Sequence, residues 1–151
     1  MIEVMPGKED ILKVVARAGI LITNPENWTH GVYARDENGE PVDFDSEDAK
    51  RYCLGGALHK GAHLFVEEVF PESRTQVEKL DKMIYRHLLV EAARPPVVEA
   101  IKSVSVELEL PACWGSVGHF NDFIATRIEG AHNTALEVIR RARGIIREDY
   151  A

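Results

Sequence analysis

Apolar residues recur at helical spacing in several stretches of the chain and alternate strictly in one. In the first stretch Ile11, Leu12, Val15 and Ala18 share a face, which predicts a helix over residues 8–22 that Asn24-Pro25 breaks. Two short runs, 32–35 and 40–44, then flank Asp36-Glu37-Asn38-Gly39. Asn-Gly tolerates the positive φ that a tight turn needs, so 32–44 reads as a β-hairpin. The stretch 45–63, DSEDAKRYCLGGALHKGAH, reads as a central helix. Asp45 or Ser46 can cap it, and the carboxylates of Asp45, Glu47 and Asp48 suit the positive end of a helix dipole. Pro71 sets its latest end. Ala49, Cys53, Ala57 and Leu64 fall on one side, widened by Leu54, Leu58 and Phe65. Gly55, Gly56, Ala57, Gly61 and Ala62 are small. A glycine inside a helix costs about 1 kcal/mol relative to alanine, so this series predicts close approach of a backbone or a ligand. Cys53, Gly56 and Ala57 are therefore expected to be buried against the last helix or against Asn121-Asp122.

Further along, Ser73 to Gln76 matches a capping box, and Val77, Leu80, Ile84 and Leu88 form an apolar stripe that Pro95-Pro96 ends. Residues 103–110, SVSVELEL, alternate without exception and read as a half-buried strand. A helix running on from Val97 competes, because Ala100, Ile101, Val104 and Leu108 also share a helical face. Residues 111–122 read as a loop. Thr134 with Glu137 makes a second capping box for a last helix that reaches about Ile146. The sum is a single domain, 1–151, of the α+β class: about four main helices packed with a small antiparallel sheet, made of hairpin 32–44 and strand 103–110.

Charge narrows the function classes. The net charge of −7 argues against direct nucleic-acid binding, which favours a basic surface. Seven carboxylates and no lysine or arginine lie between Asp36 and Asp48, and four arginines lie between Arg140 and Arg147. These are two solvated faces that complement one another, or the first is an acidic surface aimed at a basic protein partner. The N-terminal residues lack the basic-then-apolar pattern of a signal peptide, and no apolar run approaches the ~18 residues that span a bilayer. The expectation is a cytoplasmic protein with no membrane contact and with free thiols.

Candidate chemistry sits in two places. On the central helix Tyr52, Gly56, His59 and His63 make a second stripe, and His59 and His63 have the four-residue spacing at which two imidazoles can share one divalent metal ion. The glutamate of an HExxH site is missing, so the alternative is a half-exposed helix edge. Downstream, Cys113, Ser116, His119, Asn121 and Asp122 are concentrated in ten residues. If this segment folds over the central helix, Cys53 can serve as a nucleophile, His119 as its base, and Asn121 or Asp122 as the group that orients the base. The competing readings are an inert buried thiol at Cys53 and a turn held by the short polar side chains of Asn121 and Asp122. Trp28 and Trp114 are core residues or, for Trp114, the wall of a ligand pocket. The Gly55-Gly56 pair lies inside a helix, so it is neither a P-loop nor a dinucleotide fingerprint.

The order Trp28-x-x-Gly31, Ala34-x-Asp36-x-x-Gly39, Ala49-x-x-x-Cys53-x-x-Gly56-Ala57 and, much later, Phe120-Asn121-Asp122 resembles a family of small uncharacterised proteins found in bacteria and their phages. The resemblance covers most of the chain from the first helix onward and implies no activity. It implies that Trp28, Asp36, Cys53, Asn121 and Asp122 belong to one cluster. The segment from Phe123 to Asn133 is longer than the pattern requires. Two expectations follow. One is a non-catalytic binding or interaction protein of bacterial or phage origin, an accessory factor acting on a host component, without a cofactor. Its binding candidates are Tyr52, His59, His63, Trp114, Asn121 and Asp122. The other is a small hydrolase-type enzyme using a Cys thiol or a His-bound metal.

Overall fold

Hydrophobic burial selects five α-helices and one small sheet among the residues that the computed structural model describes, 6–111 and 114–149. Helix α1 (Lys8–Leu21) is followed by a single 3-10 turn, Pro25–Asn27. The strands β1 (Ala34–Arg35), β2 (Pro41–Val42) and β3 (Arg51–Tyr52) come next. Helices α2 (Leu54–Val69), α3 (Gln76–Glu107), α4 (Val117–Arg127) and α5 (Ala131–Asp149) complete the chain. The fold class is α+β, as the periodicities indicate. No helix among the described residues is long and apolar enough to cross a membrane.

The hairpin forms where Asn38-Gly39 places it, with Gly39 at φ 86°. Each strand contributes only two residues, too little to hold a hairpin alone. The second edge of β1 is closed by β3, which pairs antiparallel in the register Ala34 to Tyr52 and Arg35 to Arg51, giving the order β2-β1-β3. This pairing corrects the expected start of the central helix. Residues 45–52 are not helical. Ser46 accepts from the Asp48 amide within a local turn, and α2 begins at Leu54 with Cys53 as its N-cap.

Helix α3 departs furthest from expectation. Pro95 and Pro96 lie inside it, and 103–107 continue it as helix where strand was expected. A proline removes one intrahelical hydrogen bond and crowds the preceding turn, so the surrounding packing must carry the break. It does so from both sides. Tyr85, Leu89 and Val90 pack with Val14, Ala62, Phe65 and Val66 in one cluster, while Ala93, Val97, Ala100, Ile101 and Val104 pack into the main core. Buried positions at 97, 100, 101 and 104 follow the 3.6-residue period, and Val106 is 70% exposed. The alternation of 103–110 thus coincides with a helical face. The capping box is Thr75 with Glu78, two residues on from Ser73 and Gln76. Val77, Leu80 and Ile84, expected to be core, face solvent, because Tyr85 and Leu89 define the inward side.

Two smaller corrections follow from caps. Ser116 accepts from the His119 amide and starts α4 inside the segment read as loop. Helix α5 begins at Ala131, directly after Gly130 at φ 71°, and Thr134 lies within its first turn, bonded to the Gly130 carbonyl.

The small residues of α2 have two distinct neighbours. A Cβ on Gly56 would overlap the Tyr33 carbonyl oxygen and stand 2.8 Å from its carbon. At Gly61 a Cβ would meet the Val14 carbonyl oxygen of α1 at 2.8 Å. Cys53, Gly56 and Ala57 are buried as expected, but the close neighbour of Gly56 is the backbone before β1 rather than the last helix or Asn121-Asp122. Gly144 in α5 has nothing within 4 Å of a would-be Cβ. Gly56→Ala is expected to destabilise by about 2 kcal/mol or more, since the clash is with backbone. Gly144→Ala is expected to stabilise by about 0.5–1 kcal/mol. Urea unfolding of both variants checks the pair, and equal effects would remove the close-approach explanation.

Candidate functional site

Helix α4 turns Val117, Phe120, Asn121 and Ile124 inward, and Asn121 is fully buried among them. A buried amide needs partners for both ends. The Asn121 Oδ1 accepts from the Trp28 indole at 2.8 Å and from the Leu54 amide at 3.1 Å, while its Nδ2 donates to the Thr29 carbonyl at 2.9 Å. Leu54 is the first residue of α2, so this side chain satisfies an amide that the helix itself leaves unpaired. The Cys53 Sγ caps the same end by accepting from Gly56 at 3.3 Å. Next along α4, Asp122 accepts from the Gly31 amide at 2.7 Å, where Gly31 has φ 85°.

The segment before the sheet, the start of α2 and the first turns of α4 therefore converge. Trp28, Cys53, Asn121 and Asp122 come together as the resemblance implies. Asp36 does not join them: its carboxylate holds the hairpin turn by accepting from Asn38 and Glu40, both at 2.9 Å.

Cys53, His119 and Asp122 line one open depression of about 460 Å³, with Tyr33 and Ser116 on its rim. Burial pushes the Cys53 thiol up; amide hydrogen bonds from Gly56 and Gly55 oppose this, and the Asp122 charge adds to it. The thiol is thus held neutral, and the Asp122 carboxylate is engaged by Gly31. The His119 ring stands edge-on to Trp114, with centroids 5.6 Å apart. Cys113 lies outside the described residues.

A larger depression of about 550 Å³ adjoins the first across Tyr33 and Ser116. Its walls are Leu58 of α2, Val90, Val98 and Ile101 of α3, and Val117 of α4. Tyr33, His59 and Trp114 form its aromatic rim, and Arg94 and Lys102 are its charged lining residues. Trp114 is fixed by its indole donating to Ser105 at 3.0 Å and by edge contacts with Phe120 and Phe123. The Val90, Arg94, Val98 and Ile101 wall is not apparent from the sequence, because two adjacent prolines ordinarily end a helix. Its signal, helical spacing carried across them, is present in the sequence.

The Tyr52–His59–His63 stripe dissolves. Tyr52 is in β3, buried, with its hydroxyl donating to the Ala49 carbonyl at 3.3 Å. His59 sits beside the Tyr33 and Phe44 rings in the larger depression. His63 lines a different one, and its Nδ1 is 2.9 Å from the Arg86 guanidinium, which can only donate. Burial and the neighbouring arginines, Arg94 and Arg86 for His59 and Arg86 for His63, lower the pKa of both. Among the described residues no group of three or more His, Cys, Asp or Glu side chains is placed to hold a metal ion.

A family model matches residues 7–142. The chain belongs to DUF6197, a family of unknown function. No curated protein and no solved structure matches it. In this DUF6197 member the acidic segment lies at the surface: Glu37, Glu40, Asp43, Asp45, Glu47 and Asp48 are exposed. Of the four arginines of α5, Arg140 and Arg141 pair away from that segment, both with Glu137 and Arg141 also with Glu107.

Asn121→Leu, which preserves volume, leaves Leu54, Trp28 and Thr29 each with an orphaned group. At about 1–3 kcal/mol apiece the loss is expected to reach about 3 kcal/mol or more. Asp122→Asn keeps an acceptor for Gly31 and is expected to cost less than about 1 kcal/mol. Denaturant midpoints of the two variants provide the check.

Proposed function

We propose that this DUF6197 protein is a non-catalytic binding protein whose ligand seats in the cleft between α2, α3 and the start of α4. The observation that carries the reading is the cleft itself. It holds about 550 Å³, within the size range of small-molecule sites, and its walls are apolar with an aromatic rim. Trp114, Tyr33 and His59 present aromatic surfaces to a flat or linear apolar body, while Leu58, Ile101 and Val117 form a floor that water solvates poorly.

A thiol hydrolase is favoured by one observation, the shared depression of Cys53, His119 and Asp122. Against it stand the raised pKa of the buried thiol and the engagement of Asp122 by Gly31. A nucleophilic cysteine needs a thiolate and an oriented base. Binding is therefore the better-supported reading.

Octan-1-ol serves as a neutral apolar probe. Saturable binding is expected, with a change in Trp114 emission that Trp114→Phe abolishes. Val98→Trp, which fills the cleft from a half-buried wall position, is expected to weaken binding by about fivefold or more. An absence of saturable binding to the wild-type chain would remove the reading.

The protein is further proposed to be cytoplasmic and of bacterial or phage origin, with the acidic segment 36–48 meeting a basic protein of the host. Six exposed carboxylates support that surface. Conversion of Asp43, Asp45, Glu47 and Asp48 to their amides is expected to abolish capture of the partner from host lysate, and undiminished capture would exclude the acidic face.

A further inference from the structure

Charge is distributed around the cleft against the trend of the whole chain. The protein carries 25 Asp and Glu against 18 Lys and Arg. Yet none of the fourteen residues lining the cleft is acidic, and Arg94 and Lys102 are both cationic. The two cations lie on α3, eight residues apart, so about 12 Å of helix rise separates their backbones. The apolar wall residues Val98 and Ile101 fall between them in sequence. A ligand that only filled apolar space would gain nothing from such a rim.

Each cation differs in how far it is already compensated. Arg94 pairs with Glu91 at 3.0 Å one turn back on the same exposed surface. Lys102 is exposed and makes no ion pair among the described residues. Lys102 therefore offers the freer charge, and Arg94 offers a planar fork of donors that suits a carboxylate. An apolar floor with cations confined to the rim sorts molecules by having both parts: a body that leaves water and a head that stays at the mouth.

We propose that the cleft is selective for small organic acids with an apolar body and a single carboxylate, the head meeting Lys102 and Arg94 and the body lying on Leu58, Val98 and Ile101. This rests on the binding reading given above and adds the chemical class of the ligand.

Calorimetric titration of the full chain with octanoate and with octan-1-ol, at low ionic strength, tests it. The two probes share an apolar chain and differ in the charge of the head. Octanoate is expected to bind about tenfold more tightly than the alcohol. Lys102→Gln and Arg94→Gln, both at solvent-exposed positions, are expected to reduce that preference, Lys102→Gln the more, by weakening octanoate more than octan-1-ol. Equal affinities for the two probes, or a preference that survives both substitutions together, would overturn the carboxylate assignment and leave the cleft as a binding site. Binding of neither probe would overturn the cleft reading itself.

Discussion

One side-chain amide fixes the relative positions of three parts of the chain that are far apart in sequence. Asn121 joins the indole of Trp28, the carbonyl of Thr29 and the first amide of α2, across 93, 92 and 67 residues respectively. Each contact is modest alone. Their force lies in the alternative, since around the fully buried Asn121 each partner would be left without its bond. Helix α4 is thereby locked in rotation against α2. The two depressions, which share Tyr33 and Ser116, take their shapes from that lock.

A second constraint is steric. The backbone at Tyr33 runs so close to α2 that only hydrogen fits at Gly56, and the Tyr33 carbonyl accepts from the Cys53 amide at 3.2 Å. Strand β1 and the N-terminus of α2 therefore behave as one unit. Cys53 works within that unit as an N-cap, with a thiol kept neutral by burial. A reactive-looking cysteine with a histidine and an aspartate near it is here accounted for by helix capping and turn geometry.

Much of this was legible in the residues. The Asn38-Gly39 turn, the α1 stripe and the need for close approach at the glycines of α2 each rest on a local rule, and each is found. The start of α2 was not legible, because Asp45, Ser46 and Asp48 have the chemistry of a helix cap, while an unpaired edge of β1 recruits residues 51–52 instead. Pairing across 16 and 18 residues is not a local property. Helix α3 defeated two rules together: paired prolines ordinarily end a helix, and strict alternation ordinarily marks a strand. Tertiary packing overrode both. The cleft was hidden for the same reason, since one of its walls is built from the two sides of those prolines. The sequence offers Trp114 as a core residue or a pocket wall, yet nothing in it shows which residues that indole faces.

Helix α3 passes from one hydrophobic cluster to the other between Val90 and Ala93, just before its two prolines, and the cleft straddles both the changeover and the prolines. Val90 and Arg94 precede the pair, and Val98, Ile101 and Lys102 follow it. A rod with a weakened point in its hydrogen-bond ladder bends there before it bends anywhere else. The mouth of the cleft is thus set across the softest joint of the longest element. Its width is coupled to the angle between the halves of α3, and a molecule that bridges the joint would stiffen the rod as a splint does.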